Sequence, residues 1–274
     1  MSNTYNIGTD FNIDEILKKY SNKDNKKIEN LKPWQGFREL VLVDKVKECK
    51  DIVSFYFKDK NGEKLIKHKA GQYLLFKIKT KDPKFKDILR TYSLSMKSNE
   101  YIYRISVKKI KGGLISTYLH ENLNIGDFIE AMIPKGEFTL DKKIKDKPIV
   151  FIAGGIGITP LLSMLYECSN DVKREKYFIQ AVKNSNMQPF KNDLKIISEF
   201  NNLKNIVFYS DPAKKDIEGR DYDFFGRITK EWIENKLPLN GEFYFCGPLP
   251  FMKVLNTSLK ELGVNKKFIN FEFF

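Results

Sequence analysis

The feature that most constrains this chain is a change of rhythm at Pro148. Ahead of it lie short β-rich runs: Leu40–Val46, Ile52–Phe57, Tyr73–Ile78, Thr91–Ser95, Tyr101–Lys108 and Asp127–Ile133. Alternation with period two, broken by turn residues at regular spacing, predicts half-buried strands of an antiparallel barrel over residues 37–145. Asn61-Gly62 predicts a hairpin turn, Lys79–Lys86 a charged loop and Leu114–Glu121 one short helix. Beyond Pro148, the runs Ile149–Ala153, Tyr177–Val182, Asn205–Tyr209 and Glu242–Cys246 predict strands. Between and after them, Pro160–Cys168, Lys191–Phe200, Thr229–Asn235 and Pro250–Leu262 predict helices. Strands alternating with helices imply a parallel sheet covered on both faces. The expected fold is therefore an antiparallel β-barrel over residues 36–145 followed by an α/β parallel-sheet domain over 146–274, with the boundary near Asp141–Pro148. Residues 1–35 read as a polar leader, with a short helix over Asp14–Tyr20, too small to carry a core.

Charge narrows the class of partner. The chain carries 48 Lys+Arg against 35 Asp+Glu, a net of +13, and is 42% hydrophobic, so wholesale disorder is excluded. Residues 58–111 alone hold 16 basic and 5 acidic residues, a net of +11. That stretch contains predicted strands, so the excess is a face on a folded unit, suited to an anionic partner. No nucleic-acid-binding motif accompanies it. Cys49, Cys168 and Cys246 lie far apart, which excludes a metal or iron–sulfur module built on cysteines alone. Their odd number, with no signal pattern in Met1–Asp10, predicts a reducing cytoplasm. Pro148–Tyr166 is uncharged and long enough to span a bilayer, but its glycines and Pro160 divide it into strand, loop and helix.

Four segments carry chemistry. In Gly154-Gly155-Ile156-Gly157-Ile158-Thr159-Pro160, glycines follow a buried strand and open a helix. Free backbone N–H groups and the helix dipole then favour an anion, although an ordinary tight turn looks the same. The spacing departs from the usual G-x-G-x-x-G dinucleotide fingerprint. Tyr244-Phe245-Cys246-Gly247-Pro248 ends another strand, so both loops fall at carboxyl ends of the sheet, where ligands bind in such folds. Arg90-Thr91-Tyr92-Ser93 offers a cation for phosphate, an aromatic face and hydroxyls. Lys111-Gly112-Gly113-Leu114-Ile115-Ser116-Thr117 feeds glycines into a short helix, a second candidate anion site or a plain turn with its cap.

In this order the four segments resemble the ferredoxin–NADP reductase superfamily. Arg90–Ser93 matches its R-x-Y-S flavin motif and Gly113–Ser116 its flavin-diphosphate loop. Gly154–Pro160 matches its G-G-x-G-x-T-P nicotinamide-nucleotide motif, and Cys246-Gly247-Pro248 its C-G-P motif. Gly71-Gln72-Tyr73, Arg104-Ile105-Ser106-Val107-Lys108 and the ending Phe271-Glu272-Phe273-Phe274 are similar to the reductase part of flavohaemoglobins, with Ala70 where that family has proline. The resemblance implies an FAD-binding barrel and an NAD(P)-binding α/β domain, with FAD and NAD(P)H as cofactors. It implies that Arg90, Thr91, Tyr92, Ser93, Ser106, Val107, Lys108, Gly113, Leu114 and Ser116 contact the flavin. Gly154, Gly155, Gly157, Thr159, Pro160, Cys246, Gly247 and Pro248 would hold the nicotinamide nucleotide. Ser93, Cys246, Glu272 and Phe274 would stand at the reacting centre, Phe274 covering the flavin and Glu272 serving as a polar or proton-relay group.

With neither a globin before the barrel nor a Cys-rich module after the α/β domain, the expected activity is electron transfer from NAD(P)H through FAD to a separate redox protein. An acidic ferredoxin or flavodoxin suits the local charge, although the solvated surface of a Lys-rich protein looks the same. The alternative is a non-catalytic flavin-binding subunit of a larger complex. Ser210-Asp211-Pro212, after the third strand of the α/β domain, marks the nucleotide-selectivity region. Asp211 opposes a 2′-phosphate, whereas Lys214 and Lys215 attract one, and the similarity to flavohaemoglobins is what implies NADH.

Overall fold

The computed structural model describes residues 6–7, 33–80, 82–141, 143–144, 146–200 and 202–273. The expected helix over Asp14–Tyr20 lies outside these residues. The chain divides into two compact units, Met1–Glu137 and Phe138–Phe274.

In the first unit the strands are β1 (Asn6–Ile7), β2 (Arg38–Lys47), β3 (Ile52–Asp59), β4 (Tyr73–Ile78), β5 (Arg90–Ser93), β6 (Tyr103–Lys108) and β7 (Phe128–Ala131). The sheet order is β5-β4-β7-β2-β3-β6, antiparallel throughout, with β1 added in parallel to the end of β2. An antiparallel bridge from Leu94, just past β5, to Ile105 on β6 joins the two ends of the order into a barrel. Alternate side chains fill the interior, among them Leu40, Leu42, Phe55, Phe57, Leu74, Phe76, Ile105 and Ile129, all fully buried. Helix α1 (Leu114–Glu121) packs against this core through Ile115 and Leu119. Its last carbonyls are satisfied from the barrel: Lys45 Nζ donates to the carbonyls of Leu119, His120 and Leu123 at 3.5, 3.2 and 2.8 Å. A cation at a helix C-terminus meets both orphan acceptors and the dipole.

The turn at Asn61-Gly62 forms, but no hairpin follows it. Asp59 Oδ1 accepts the amides of Asn61 and Glu63 at 2.8 and 2.9 Å, and Gly62 takes φ +77°. Both edges of β3 are already occupied, by β2 and β6, so the chain after Gly62 finds no free edge and runs as a loop to Tyr73.

The second unit is a six-stranded parallel sheet in the order β11-β10-β9-β8-β12-β13. Its strands are β8 (Ile149–Gly154), β9 (Lys176–Val182), β10 (Leu203–Tyr209), β11 (Phe224–Phe225), β12 (Glu242–Gly247) and β13 (Ile269–Phe273). Its helices are α2 (Ile158–Cys168), α3 (Lys191–Phe200), α4 (Lys230–Lys236) and α5 (Leu249–Glu261). Every residue of β8 and β12 is buried, as central parallel strands require. Val150, Ile152, Ile179, Phe243 and Phe245 share one face with Ile233 of α4 and Met252 and Leu255 of α5. Phe151, Phe178 and Tyr244 meet on the other.

Residues 138–147 side with this unit through a buried polar tie. Arg174 Nη2 meets Glu242 Oε2 at 2.9 Å, with side chains 5% and 1% exposed, and Arg174 Nε donates to the Lys147 carbonyl. Tyr244 Oη donates to Glu242 Oε1 and accepts the amide of Asp141 at 2.9 Å, beside the Phe138 ring. The uncharged stretch Pro148–Tyr166 is divided among β8, a 3-10 turn (Gly155–Gly157) and α2. No helix among the described residues is long and apolar enough to cross a membrane.

Candidate active site

In the second unit, the predicted loops meet at the carboxyl ends of β8, β12 and β13. Gly154 ends β8, Gly155 turns the chain with φ +55°, and α2 opens at Ile158 with no side chain capping it. The Ile158 amide is bonded to the Gly155 and Ile156 carbonyls of the turn, and no side chain takes the N–H groups that follow it. Gly157 passes so close to the end of β12 that a Cβ would fall inside the Cys246 carbonyl. A Cβ at Gly154 would stand 2.9 Å from the Phe251 ring and 3.0 Å from Pro248, and one at Gly247 would stand 2.8 Å from the same ring. Three glycines therefore close the gap between two loops, with Phe251 packed behind them. Phe251 had no role in the sequence reading. Its signal was its place in the first turn of the helix after Cys246-Gly247-Pro248.

Thr159 is buried and donates its hydroxyl to the Ile156 carbonyl at 3.1 Å, so it fastens the turn. Pro160 is buried in the first turn of α2, and Pro248 is the exposed N-cap residue of α5. Cys246 is fully buried and stands in register with Ala153 on one side and Glu272 on the other. Burial, then the nearby Glu272 carboxylate, pushes the Cys246 thiol pKa far up, so this sulfur is a neutral packing group. Burial alone raises the Glu272 carboxyl. Phe271 stacks on Phe245 and meets Phe273 edge-on, leaving Phe273 55% exposed at the strand's end. Phe274 lies outside the described residues.

The selectivity loop is fixed to its neighbour. Ser210 and Asp211 donate their amides to the carbonyls of Val182 and Lys183 at 3.0 and 2.9 Å, and Asn184 Nδ2 donates to the Asp211 carbonyl at 3.0 Å. The side chains of Asp211, Lys214 and Lys215 are left exposed.

In the first unit, Arg90 and Thr91 are exposed at the start of β5. Tyr92 is half-buried and stacks on Phe76, centroids 5.6 Å apart at 29°. Burial raises its pKa against the opposing charge of Arg90. Ser93 is 4% exposed, and its Oγ is buried with no hydrogen-bond partner. Phe85, in the loop ahead of β5, rests on Tyr118 of α1 with centroids 4.5 Å apart, bringing that loop to the glycine-fed helix. There Gly113 caps α1 without a side-chain bond, and its Cβ position is filled to 2.6 Å by Ser116 Oγ. Ser116 Oγ in turn accepts the Ile110 amide at 3.2 Å.

The predicted contacts on β6 are placed otherwise. Ser106 Oγ is buried 2.7 Å from both Ser54 Oγ and Ser95 Oγ, so its hydroxyl is spent within the sheet. Val107 belongs to the barrel core, and Lys108 Nζ meets Asp51 at 3.4 Å. Ser106 and Val107 thus have their side chains committed to the barrel, the Val107 carbonyl meets His120 Nε2 at 2.8 Å, and Lys108 remains partly exposed.

These arrangements fit the two groups the motifs imply. An isolated buried hydroxyl is costly unless something hydrogen-bonds to it, and Ser93 Oγ sits on the strand that also presents Arg90 and the Tyr92 ring. The glycine cradle, with an uncapped helix start, fits a nucleotide diphosphate. Together they define a two-domain oxidoreductase that binds a flavin in its barrel and a nicotinamide nucleotide on its parallel sheet.

Comparison with known proteins gives the same assignment. Residues 39–140 match the oxidoreductase FAD-binding domain and residues 151–257 the oxidoreductase NAD-binding domain. A flavohemoprotein of Bacillus thuringiensis subsp. konkukian is 40% identical over 249 residues, covering 88% of this chain and 61% of that protein. The flavohem-like FAD/NAD-binding domain of nitric oxide dioxygenase from Vibrio cholerae superposes with a TM-score of 0.78 at 29% identity, covering 88% of this chain and 99% of that one. Phthalate dioxygenase reductase, a modular structure for electron transfer from pyridine nucleotides to [2Fe–2S], superposes with a TM-score of 0.67 at 27% identity, covering 87% and 68%. The chain belongs to the ferredoxin–NADP reductase superfamily and is similar to the reductase part of flavohemoproteins. It is an NAD(P)H-dependent flavoprotein reductase with FAD and NAD(P)H as its cofactors.

Proposed function

We infer that this reductase takes electrons from NADH and passes them to a separate acidic redox protein, such as a ferredoxin or flavodoxin. The buried, unpartnered Ser93 hydroxyl carries the flavin half of this reading. When bound, FAD accepts a two-electron hydride and can release the electrons singly. The chain's own residues bind and orient. Residues 36–145 would hold the flavin, with Arg90 answering its phosphate charge, Tyr92 offering an aromatic face, Ser93 Oγ a hydroxyl donor, and Gly113–Ser116 the diphosphate loop. Residues 146–274 would hold the nicotinamide nucleotide, with Gly154–Gly157 and the start of α2 for the diphosphate and Cys246 as a neutral packing group. Glu272, its pKa raised by burial, keeps a proton-bearing group near that end of the sheet.

NADH is favoured because Asp211 is exposed on a fixed backbone and meets no cation among the described residues. The +11 of residues 58–111 favours an acidic acceptor. Cys49, Cys168 and Cys246 are all free thiols, in keeping with a reducing cytoplasm. A haem protein is the second class of acceptor, favoured by the 40% identity to a flavohemoprotein. Steady-state reduction of a ferredoxin, a flavodoxin and a globin by the FAD-loaded protein, with NADH and NADPH in turn, tests the reading. Turnover with an acidic carrier supports it. Turnover with the globin alone replaces the acceptor.

A further inference from the structure

Beside the strand that presents Ser93, the barrel holds a line of hydroxyls that ends on a carboxylate. Ser54 of β3 and Ser106 of β6 are partners in the ladder, with Oγ atoms 2.7 Å apart. Ser106 Oγ also lies 2.7 Å from Ser95 Oγ, and Ser54 Oγ lies 2.5 Å from Glu48 Oε1. Ser54, Ser95 and Ser106 are buried, whereas Glu48, just past the end of β2, is half-buried. The line therefore runs unbroken from a buried end to one that solvent reaches. Its buried end belongs to the flavin strand. Leu94 bridges Ile105 and the Ser95 amide donates to the Arg104 carbonyl at 2.9 Å, so the chain stays extended from β5 through Ser95. Tyr92 and Leu94 pack on the barrel core, which puts Ser93 and Ser95 together on the opposite face. Residues two apart on a strand are separated by about 6.6 Å, a gap that ordered water spans.

The hydrogens of this line permit a proton to pass. A serine hydroxyl donates once and accepts twice. With Glu48 ionised, one arrangement bonds all three contacts: Ser95 donates to Ser106, Ser106 to Ser54 and Ser54 to Glu48. A proton entering at Ser95 moves each hydroxyl hydrogen one place along. Glu48 is then protonated and donates to Ser54, Ser54 donates to Ser106, and Ser106 donates to Ser95. The Ser95 hydroxyl has an acceptor waiting, because the Arg104 carbonyl lies 3.3 Å from its Oγ. Both arrangements are fully bonded, and rotation of the hydroxyls restores the first once Glu48 gives its proton to solvent. Buried Arg104 donates Nε to the Ser95 carbonyl at 3.0 Å, and its charge keeps an excess proton from resting at that end.

We propose that Ser95, Ser106, Ser54 and Glu48 form a proton exit for the flavin, entered from Ser93 through a bridging water. The proposal rests on the placement of the flavin at Ser93 inferred above. Oxidation of NADH yields NAD+, two electrons and one proton, and an acceptor of single electrons takes the electrons alone. The proton that arrived within the hydride leaves separately: from Ser93 to the water, along the three hydroxyls to a Glu48 oxygen, and from there to solvent. The unpartnered Ser93 Oγ supplies the entrance. Every member lies in the first unit, so the route does not involve Glu272.

The test uses the full chain loaded with FAD, as wild type, Glu48→Gln and Ser54→Ala. Glutamine still accepts from Ser54 but takes up no proton, and alanine breaks the line. Each protein is bleached anaerobically with one equivalent of NADH, then mixed with ferricyanide, a one-electron acceptor, in weakly buffered solution. A pH-indicator dye follows proton appearance, and time-resolved infrared spectra follow carboxyl protonation. Both variants should slow proton appearance about tenfold or more, while bleaching changes less than about twofold. Wild-type proton appearance should slow in D2O, and its transient carboxyl signal should vanish in Glu48→Gln. Proton appearance at the wild-type rate in Glu48→Gln, or a carboxyl signal that survives that substitution, would overturn the proposal even if Ser54→Ala fails to fold. FAD-loaded wild type that bleaches with neither NADH nor NADPH would overturn the functional reading itself, and the proposal with it.

Discussion

The candidate site of the second unit is made of backbone, and that of the first unit is made of side chains. At the ends of β8 and β12, Gly154, Gly157 and Gly247 lie where a Cβ would strike Phe251, Pro248 or the Cys246 carbonyl. The ligand binding proposed there rests on close backbone approach and on helix N–H groups that no side chain caps. On β5, by contrast, Arg90, Tyr92 and Ser93 each bring a functional group to an ordinary strand. The difference teaches where each unit is fragile. Backbone sites fail when volume is added. Side-chain sites fail when a group is removed.

Gly157→Ala should therefore have the largest effect. The added methyl meets backbone, which yields poorly, and overpacking of this kind costs about 3 kcal/mol. A Tm lowered by several degrees and NADH affinity reduced by about a hundredfold or more are expected. Gly155→Ala sharpens the point, since nothing lies within 4 Å of its Cβ position and only its φ of +55° opposes a side chain. It should cost about 1 kcal/mol. If the two substitutions prove equally harmful, close approach is not what the glycines serve.

Ser93→Ala comes next. Deleting an unsatisfied buried hydroxyl should leave the apo-protein as stable as wild type or more so. The FAD-loaded variant should bleach about tenfold more slowly with NADH, about 1.4 kcal/mol at the barrier. Lowered apo stability would show that the hydroxyl belongs to the barrel and not to a ligand.

Asp211→Ser should shift the ratio of kcat/KM for NADH over NADPH toward NADPH by roughly tenfold, the scale of one charge contact at a partly exposed site. No shift would place selectivity elsewhere in the loop.

The smallest effect concerns Glu272. Its folded pKa is raised by burial above its ordinary 4.5, so the folded state holds a proton that the unfolded state has lost. Stability from this group accordingly falls as pH rises from the ordinary value through the raised one. Glu272→Gln removes that slope. Urea midpoints measured across this window should show the variant gaining on wild type as pH rises. Parallel curves would show that the carboxyl is well solvated.

Much of this was legible in the sequence where periodicity and punctuation agree. The helices Leu114–Glu121 and Lys191–Phe200 occur as expected because each has an apolar stripe between clear breaks. The strands β11 and β13 were not read. Phe224–Phe225 is too short for any period, and Ile269–Phe273 is a strand only because β12 offers it an edge. The hairpin expected at Asn61-Gly62 failed for the complementary reason, since local turn chemistry says nothing about whether an edge is free. Motif residues were found by type, but type does not report commitment. Ser106 looks like Ser93 in sequence, and the structure gives one two hydroxyl neighbours and the other none. The ion pairs of Lys60, Lys77 and Lys79 were equally invisible, because they depend on Glu39 and Glu130 being brought to these lysines by the barrel.

The central claim is that the barrel holds a flavin that NADH reduces. Anaerobic mixing of the FAD-loaded protein with NADH, followed through the visible flavin band, tests it most directly. The account predicts rapid bleaching with one equivalent of NADH, slowed in Ser93→Ala and lost in Gly157→Ala. A protein that binds FAD and stays yellow with excess NADH and with excess NADPH would contradict it.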